Sequence, residues 1–121
     1  MISAVHHVQV SIPIGSEDDA RAFYSGILGM KEIPKPEALY GRGGFWLELK
    51  GFQIHFGTED GIERFKSKAH VAYQVEDLNS WRDKLTEAGF GVQDGIPIPG
   101  MNRFEFRDPF GNRIEFLELA D

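Results

Sequence analysis

Imidazoles and one well-placed carboxylate are the groups in this chain whose types and spacing could hold a metal ion. The chain has four histidines and no cysteine, so an ion must be bound through nitrogen and oxygen, not thiolate. His7 lies in AVHHVQVSI, His55 in GFQIHF, His70 in HVAYQV and Glu115 in GNRIEF. These stretches read as strands, in which alternate residues share a face. Acidic residues are depleted in strand interiors, so Glu115 needs either water or a cation on its face. GFQIHF and GNRIEF carry Gly, Ile and Phe at one spacing, sixty residues apart, and His55 stands where Glu115 stands in the second copy. Two imidazoles and a carboxylate are a recurrent ligand set for one divalent zinc, iron, manganese, nickel or cobalt ion, with positions left for water and substrate. His7, His70 and Glu115 form that set, and His55 is a fourth ligand, a hydrogen-bonding neighbour or a substrate contact.

The elements that must position these groups repeat as well. Residues 4–12 alternate, with His6, Val8, Val10 and Ile12 on the face toward a helix and His7 on the polar face. Ser16 and Asp19 resemble a capping box, and Ala20, Phe23, Tyr24, Ile27 and Leu28 form a helical apolar stripe that Gly29 ends. Short strands are expected at 30–33, 45–49 and 52–56, with a glycine-rich loop at 40–44. The first module, about 1–57, is thus βαβββ. Residues 58–68 are polar and charged, as suits a linker. The second module, 69–121, repeats the order: a strand at 70–75, a helix capped by Asp77 with Leu78, Trp81, Leu85 and Ala88 buried, a short strand at 90–92, the loop DGIPIPG, a strand at 102–107, the turn DPFG and a final strand. Gly29 and Gly89, which end the two helices, are again sixty residues apart.

The expectation is one α+β domain of paired βαβββ modules. Pairing about a pseudo-twofold axis would bring His7 and His70 together, with His55 and Glu115 beside them. By strand parity Gln9 shares the face of His7, Gln53 that of His55 and Arg113 that of Glu115. These three are the substrate-binding candidates. Arg113 would bind a carboxylate or phosphate, or else neutralise Glu115. Phe45, Trp46 and Tyr40 are candidates for an aromatic wall.

The totals set the class. The 121 residues are 41% hydrophobic and 26% charged, with a formal net charge of −6; a folded globular domain is expected, with no basic stripe to meet nucleic acid. The net negative charge would suit a cationic ligand. No apolar run is long enough to cross a membrane and the start lacks a secretory signal pattern, so a cytoplasmic protein is expected.

Together HHVQV, ARAFYSGILGM, HVAYQVEDL and DPFGNRIEF resemble the vicinal oxygen chelate superfamily, which includes glyoxalase I, fosfomycin-resistance enzymes, extradiol dioxygenases and bleomycin-resistance proteins. The resemblance spans essentially the whole chain. It implies an incomplete mixed β-barrel built from the two modules, one divalent metal per site, a small oxygen-chelating substrate and a homodimer. It maps ligands onto His7, His70 and Glu115, with His55 at a fourth position where the family often has glutamate. Among the family's chemistries, a glyoxalase I-like lyase or isomerase is expected, with Glu115 as the catalytic carboxylate. Extradiol ring cleavage leans on further histidine and tyrosine residues beside the metal, and His55 is the one spare cavity histidine. The non-catalytic alternative is a bleomycin-resistance-like protein that sequesters a small molecule. Thiol transfer to fosfomycin expects a cationic cluster, and no such cluster is evident in the sequence.

Overall fold

The computed structural model describes residues 1–120. The chain forms two compact units, Met1–Ile62 and Glu63–Asp121, and the boundary falls inside the polar stretch 58–68.

In the first unit, β1 (His7–Ile12) leads to α1 (Glu17–Arg21), then β2 (Lys31–Ile33), β3 (Phe45–Leu49) and β4 (Phe52–Thr58). The sheet order is β1-β4-β3-β2, with β1 parallel to β4 and the other neighbours antiparallel. In the second unit, β5 (His70–Gln74), α2 (Leu78–Glu87), β6 (Gln93–Asp94), β7 (Met101–Arg107) and β8 (Arg113–Leu119) give the order β5-β8-β7-β6, with β5 parallel to β8. The two βαβββ sheets have the same connectivity.

Strand alternation explains why each sheet buries one face. Ile12, Phe45, Leu47, Ile54 and Phe56 are buried in the first unit together with Ala20, Phe23 and Tyr24 of the helical segment. Tyr73, Phe104, Phe106, Ile114 and Phe116 are buried in the second together with Leu78 and Leu85 of α2. Each such large side chain removed from water contributes roughly 1.5–3 kcal/mol. The duplication extends to individual contacts. Arg21 lies 4.8 Å over the Phe45 ring and donates to Glu32 of β2 at 2.9 Å, while Arg82 lies 5.1 Å over Phe104 and donates to Asp94 of β6 at 2.7 Å. Gly29 and Gly89, with φ of 75° and 90°, turn the chain out of each helix through the left-handed region that side chains disfavour.

The structure departs from the sequence reading at several points, and Glu37–Arg42, expected in part as a glycine-rich loop, is a 3-10 helix. Ser16 makes no side-chain cap; its hydroxyl donates to Pro13 O at 2.6 Å instead of closing a box with Asp19. The first helix is α only to Arg21 and continues as a π-helix over Ala22–Ile27, with Leu28 N–H donating to Phe23 O at 2.9 Å. That wider turn leaves Ile27 only half-buried. His6 precedes β1 and is exposed, so it does not pack on the helix. Ala88 is the exposed C-cap of α2, past the buried stripe. The short strand expected at 90–92 lies instead at Gln93–Asp94, paired with Glu105 and Phe104, because Phe90 N–H is used to close the end of α2 on Leu85 O.

Candidate metal-donor faces and cavity

In the first unit the parallel register sets His7 opposite Gln53 and Gln9 opposite His55, and β3 adds Trp46 opposite His55. The polar face therefore carries a row of rings. His55 stacks on Trp46, with centroids 3.7 Å apart and planes 3° from parallel, and on His7 at 4.0 Å and 17°. Only 5% of His55 is exposed. Burial, with a smaller repulsion from His7 and His6, lowers its pKa to about 4, so the ring is neutral at pH 7 and keeps a lone pair. His55 Nε2 lies 2.9 Å from Gln53 Oε1; as the N–H donor there, it leaves Nδ1 as the electron-pair nitrogen.

His7 Nδ1 shares a hydrogen bond with His6 Nδ1 at 3.0 Å, which leaves Nε2 outside the bond. His7, Gln9, Trp46 and His55 line a cavity of about 430 Å³, with Lys35 and Arg42 also on its wall. Lys35 Nζ donates to Gly43 O at 2.6 Å. Both cations come from the segment between β2 and β3. Of the proposed aromatic wall only Trp46 lines this cavity. Phe45 is core, stacked on Phe56, and Tyr40 is exposed.

The second unit holds its donors differently. His70, at the start of β5, is exposed, and its Nδ1–H donates to Lys68 O at 3.0 Å, leaving Nε2 with the lone pair. Glu115 is 7% exposed and sits opposite Ala72 on β5 and Glu105 on β7. Two glutamates directly opposite one another would repel. Diagonal arginines resolve this: Arg103 Nη1 donates to Glu115 Oε1 at 2.5 Å, and Arg113 pairs with Glu105. Arg113 thus neutralises Glu105, not Glu115.

Arg103 and Glu105 are absent from the site residues read from the sequence. The signal was there: NRFEF at 102–106 and NRIEF at 112–116 are nearly the same five residues. Laid antiparallel with their glutamates opposed, each arginine falls diagonally across from the other strand's glutamate.

Below this ladder the DPFG turn is built on Asp108, which is 2% exposed and accepts from Phe110 N, Asn112 N and Asn112 Nδ2. Burial, and then the nearby Asp108 charge, push the Tyr73 phenol well above its ordinary range. Arg107 Nη1 donates to the carbonyls of Arg64, Ser67 and Gly111 at 3.0, 3.0 and 2.9 Å.

The donor chemistry suits a divalent ion. Each of His7, His55 and His70 has one ring nitrogen in a hydrogen bond that fixes the ring, and the other outside it, as metal-ligating imidazoles do. Within each unit the candidates come in twos; among the described residues no three His, Asp or Glu side chains gather as a metal site.

A sequence model of this fold matches residues 4–116 and is described as the Glyoxalase/Bleomycin resistance protein/Dioxygenase superfamily. The chain belongs to that superfamily. It is 43% identical to a glyoxalase family protein from Bacillus anthracis whose crystal structure superposes with a TM-score of 0.91, covering 99% of this chain and 98% of that one. A probable lactoylglutathione lyase from Synechocystis is 28% identical over 120 residues, 90% of this chain and 92% of that protein. The fosfomycin resistance protein FosX from Listeria monocytogenes, solved with Mn(II) and sulfate, shares the superfamily fold at a TM-score of 0.81 and 16% identity, covering 99% of this chain and 93% of FosX. Among the described residues no helix is long and apolar enough to cross a membrane.

Proposed function

We propose that this superfamily member is a divalent-metal-dependent lyase or isomerase of the glyoxalase I type, acting on a small substrate that presents adjacent oxygens. His7, His70 and Glu115 are its metal ligands, with His55 as the fourth. One observation carries the reading: three imidazoles, each fixed through one nitrogen and open at the other, on strands where the superfamily fold repeats. A bound ion would polarise the substrate oxygens and stabilise the anion that forms when a neighbouring proton is removed.

The remaining work falls to side chains. Glu115 is the one carboxylate among the donors and serves as the base that takes and returns the proton. Gln9 offers its amide to substrate oxygens beside the flat apolar wall of Trp46, and Gln53, whose Oε1 is engaged by His55, offers its Nε2. Lys35 and Arg42 favour a substrate that carries a negative charge. Arg113, engaged by Glu105, has a smaller part in substrate binding than these two. The same reading takes the protein as a cytoplasmic homodimer.

The test is protein purified without chelator, assayed for bound metal and for isomerisation of a hemithioacetal, with catechols as the control for ring cleavage. One divalent ion per site, lost in a folded His70→Ala variant together with hemithioacetal turnover, is the expected result. Protein that takes up no ion under any loading condition would overturn the assignment. A second reading has its own observation: Trp46, at the end of the row of rings, lines the cavity and offers an indole on which a planar ligand can stack. In that case metal-free protein would bind flat aromatic compounds, with quenching of Trp46 fluorescence, and would turn over neither substrate.

A further inference from the structure

Arg103 does more than balance a charge. Its guanidinium is shared between two partners on opposite sides: Nη1 donates to Glu115 Oε1 at 2.5 Å, while Nε and Nη2 donate to Ile96 O at 3.3 and 3.0 Å. Ile96 lies in the loop GIPIPG at 95–100, between β6 and β7, where it is 81% exposed and Ile98 is 41% exposed. The loop is shaped to admit the arginine, since a Cβ at Gly95 would lie 2.7 Å from Arg103 Cζ. The side chains of Arg103 and Glu115 are only 14% and 10% exposed, so the pair is weakly screened by solvent. One planar cation therefore joins the proposed ligand carboxylate to an exposed apolar loop.

We propose that Arg103 is a positioning residue that acts as the resident counter-ion of Glu115. A divalent cation displaces it from the carboxylate and so loosens the loop at 95–100. The proposal rests on Glu115 being a metal ligand. Its physics is competition: a carboxylate oxygen that accepts a charge-assisted bond from Arg103 must give up that bond, or share it, to face an ion. The bond to Ile96 O depends on the same guanidinium, so the loop's tether changes with the occupancy of Glu115. Holding the acid with arginine in the absence of metal also avoids leaving a bare buried charge.

Calorimetric titration with Mn²⁺ or Zn²⁺ alone, on wild type, Arg103→Met, Arg103→Lys and Glu115→Gln, tests this. Arg103→Met should bind the ion about tenfold to a hundredfold more tightly than wild type, the range expected when a competing charge-assisted bond is removed. Its melting temperature should fall. A merely structural arginine would not make metal affinity and stability move in opposite directions. Arg103→Lys keeps the charge but not the fork that reaches both partners, so its metal affinity should stay within a few-fold of wild type.

Amide hydrogen exchange supplies the second readout. Exchange at the amides of Gly95, Ile96, Ile98, Gly100 and Met101, the last of which donates to Ile98 O, should quicken when metal is added to wild type and should already be fast in both Arg103 variants. Equal or weaker metal binding by folded Arg103→Met, or loop exchange indifferent to metal in wild type, would overturn the proposal while leaving Glu115 as a ligand. Metal binding that survives in Glu115→Gln, or is absent from wild type and Arg103→Met alike, would overturn the ligand assignment itself.

Discussion

The two units share one connectivity and even one set of helix-to-sheet arginine contacts, yet their polar faces are held by different forces. In the first, Trp46, His55 and His7 lie ring on ring, and the central imidazole is kept neutral by burial. In the second, the equivalent position carries Glu115 inside a ladder of crossed ion pairs with Arg103, Glu105 and Arg113. A duplicated fold fixes where a side chain stands, while its neighbours on the adjoining strand decide whether it stands there neutral or charged. Trp46 beside His55 and Glu105 beside Glu115 occupy corresponding places, and that exchange alone requires different compensation.

The sharpest way to break this contrast is to remove one member of the ladder. Arg103→Ala should lower the unfolding free energy by about 3–5 kcal/mol, because it leaves a buried carboxylate unpaired. Arg103→Ala with Glu115→Leu should recover most of the loss, as measured by denaturant unfolding. If the single and double variants are equally unstable, charge is not what holds that face.

The pH dependence of the first unit is the next largest effect. His55 has a folded pKa of about 4 against an ordinary 6.5, so between these values the unfolded chain binds more protons and stability rises with pH. The stability is fully present above about 6.5 and is lost as pH falls toward 4, amounting to about 3 kcal/mol at the 1.36 kcal/mol per unit of this linkage. His55→Phe, which keeps a ring without a titrating nitrogen, should flatten that slope in denaturant titrations carried across the window. An NMR titration that places the His55 pKa near 6.5 would refute the assignment.

Trp46→Ala sharpens the same point. It should cost about 1 kcal/mol in stacking beyond the lost burial, and His55 should titrate closer to 6.5 as water reaches it. The smallest difference expected lies at the helix starts. Asp77 accepts from Ser80 N at 3.1 Å, whereas Ser16 caps nothing. Asp77→Ala should therefore destabilise by about 1 kcal/mol, and Ser16→Ala by less, both read from thermal melts.

Much of this architecture was legible in the sequence because duplication writes the same residues twice. GFQIHF against GNRIEF aligns His55 with Glu115 from residue types alone, and the paired glycines mark both helix ends. The remainder depended on facts that residue types do not carry. Ser16 has the chemistry of a cap, but its backbone turns so that the hydroxyl meets Pro13 O instead. Gln93 and Asp94 form an edge strand too short to alternate, and only β7 defines it. Arg103 required a register, because nothing in NRFEF alone says which acid it will meet. Lys35 and Arg42 join the cavity of His7 and His55 through the path of the β2–β3 connection, which no periodicity encodes.

Arg107 carries a consequence for the order of synthesis. The carbonyls it grips at Arg64 and Ser67 precede it by 43 and 40 residues. On the ribosome those carbonyls emerge and wait, unlatched, while β5, α2, β6 and β7 are still being made. The first half of the protein has every residue of its own sheet before this clasp exists. The second half can close its entry segment only after Arg107 has been added, so it should be the later of the two to resist a protease on a growing chain.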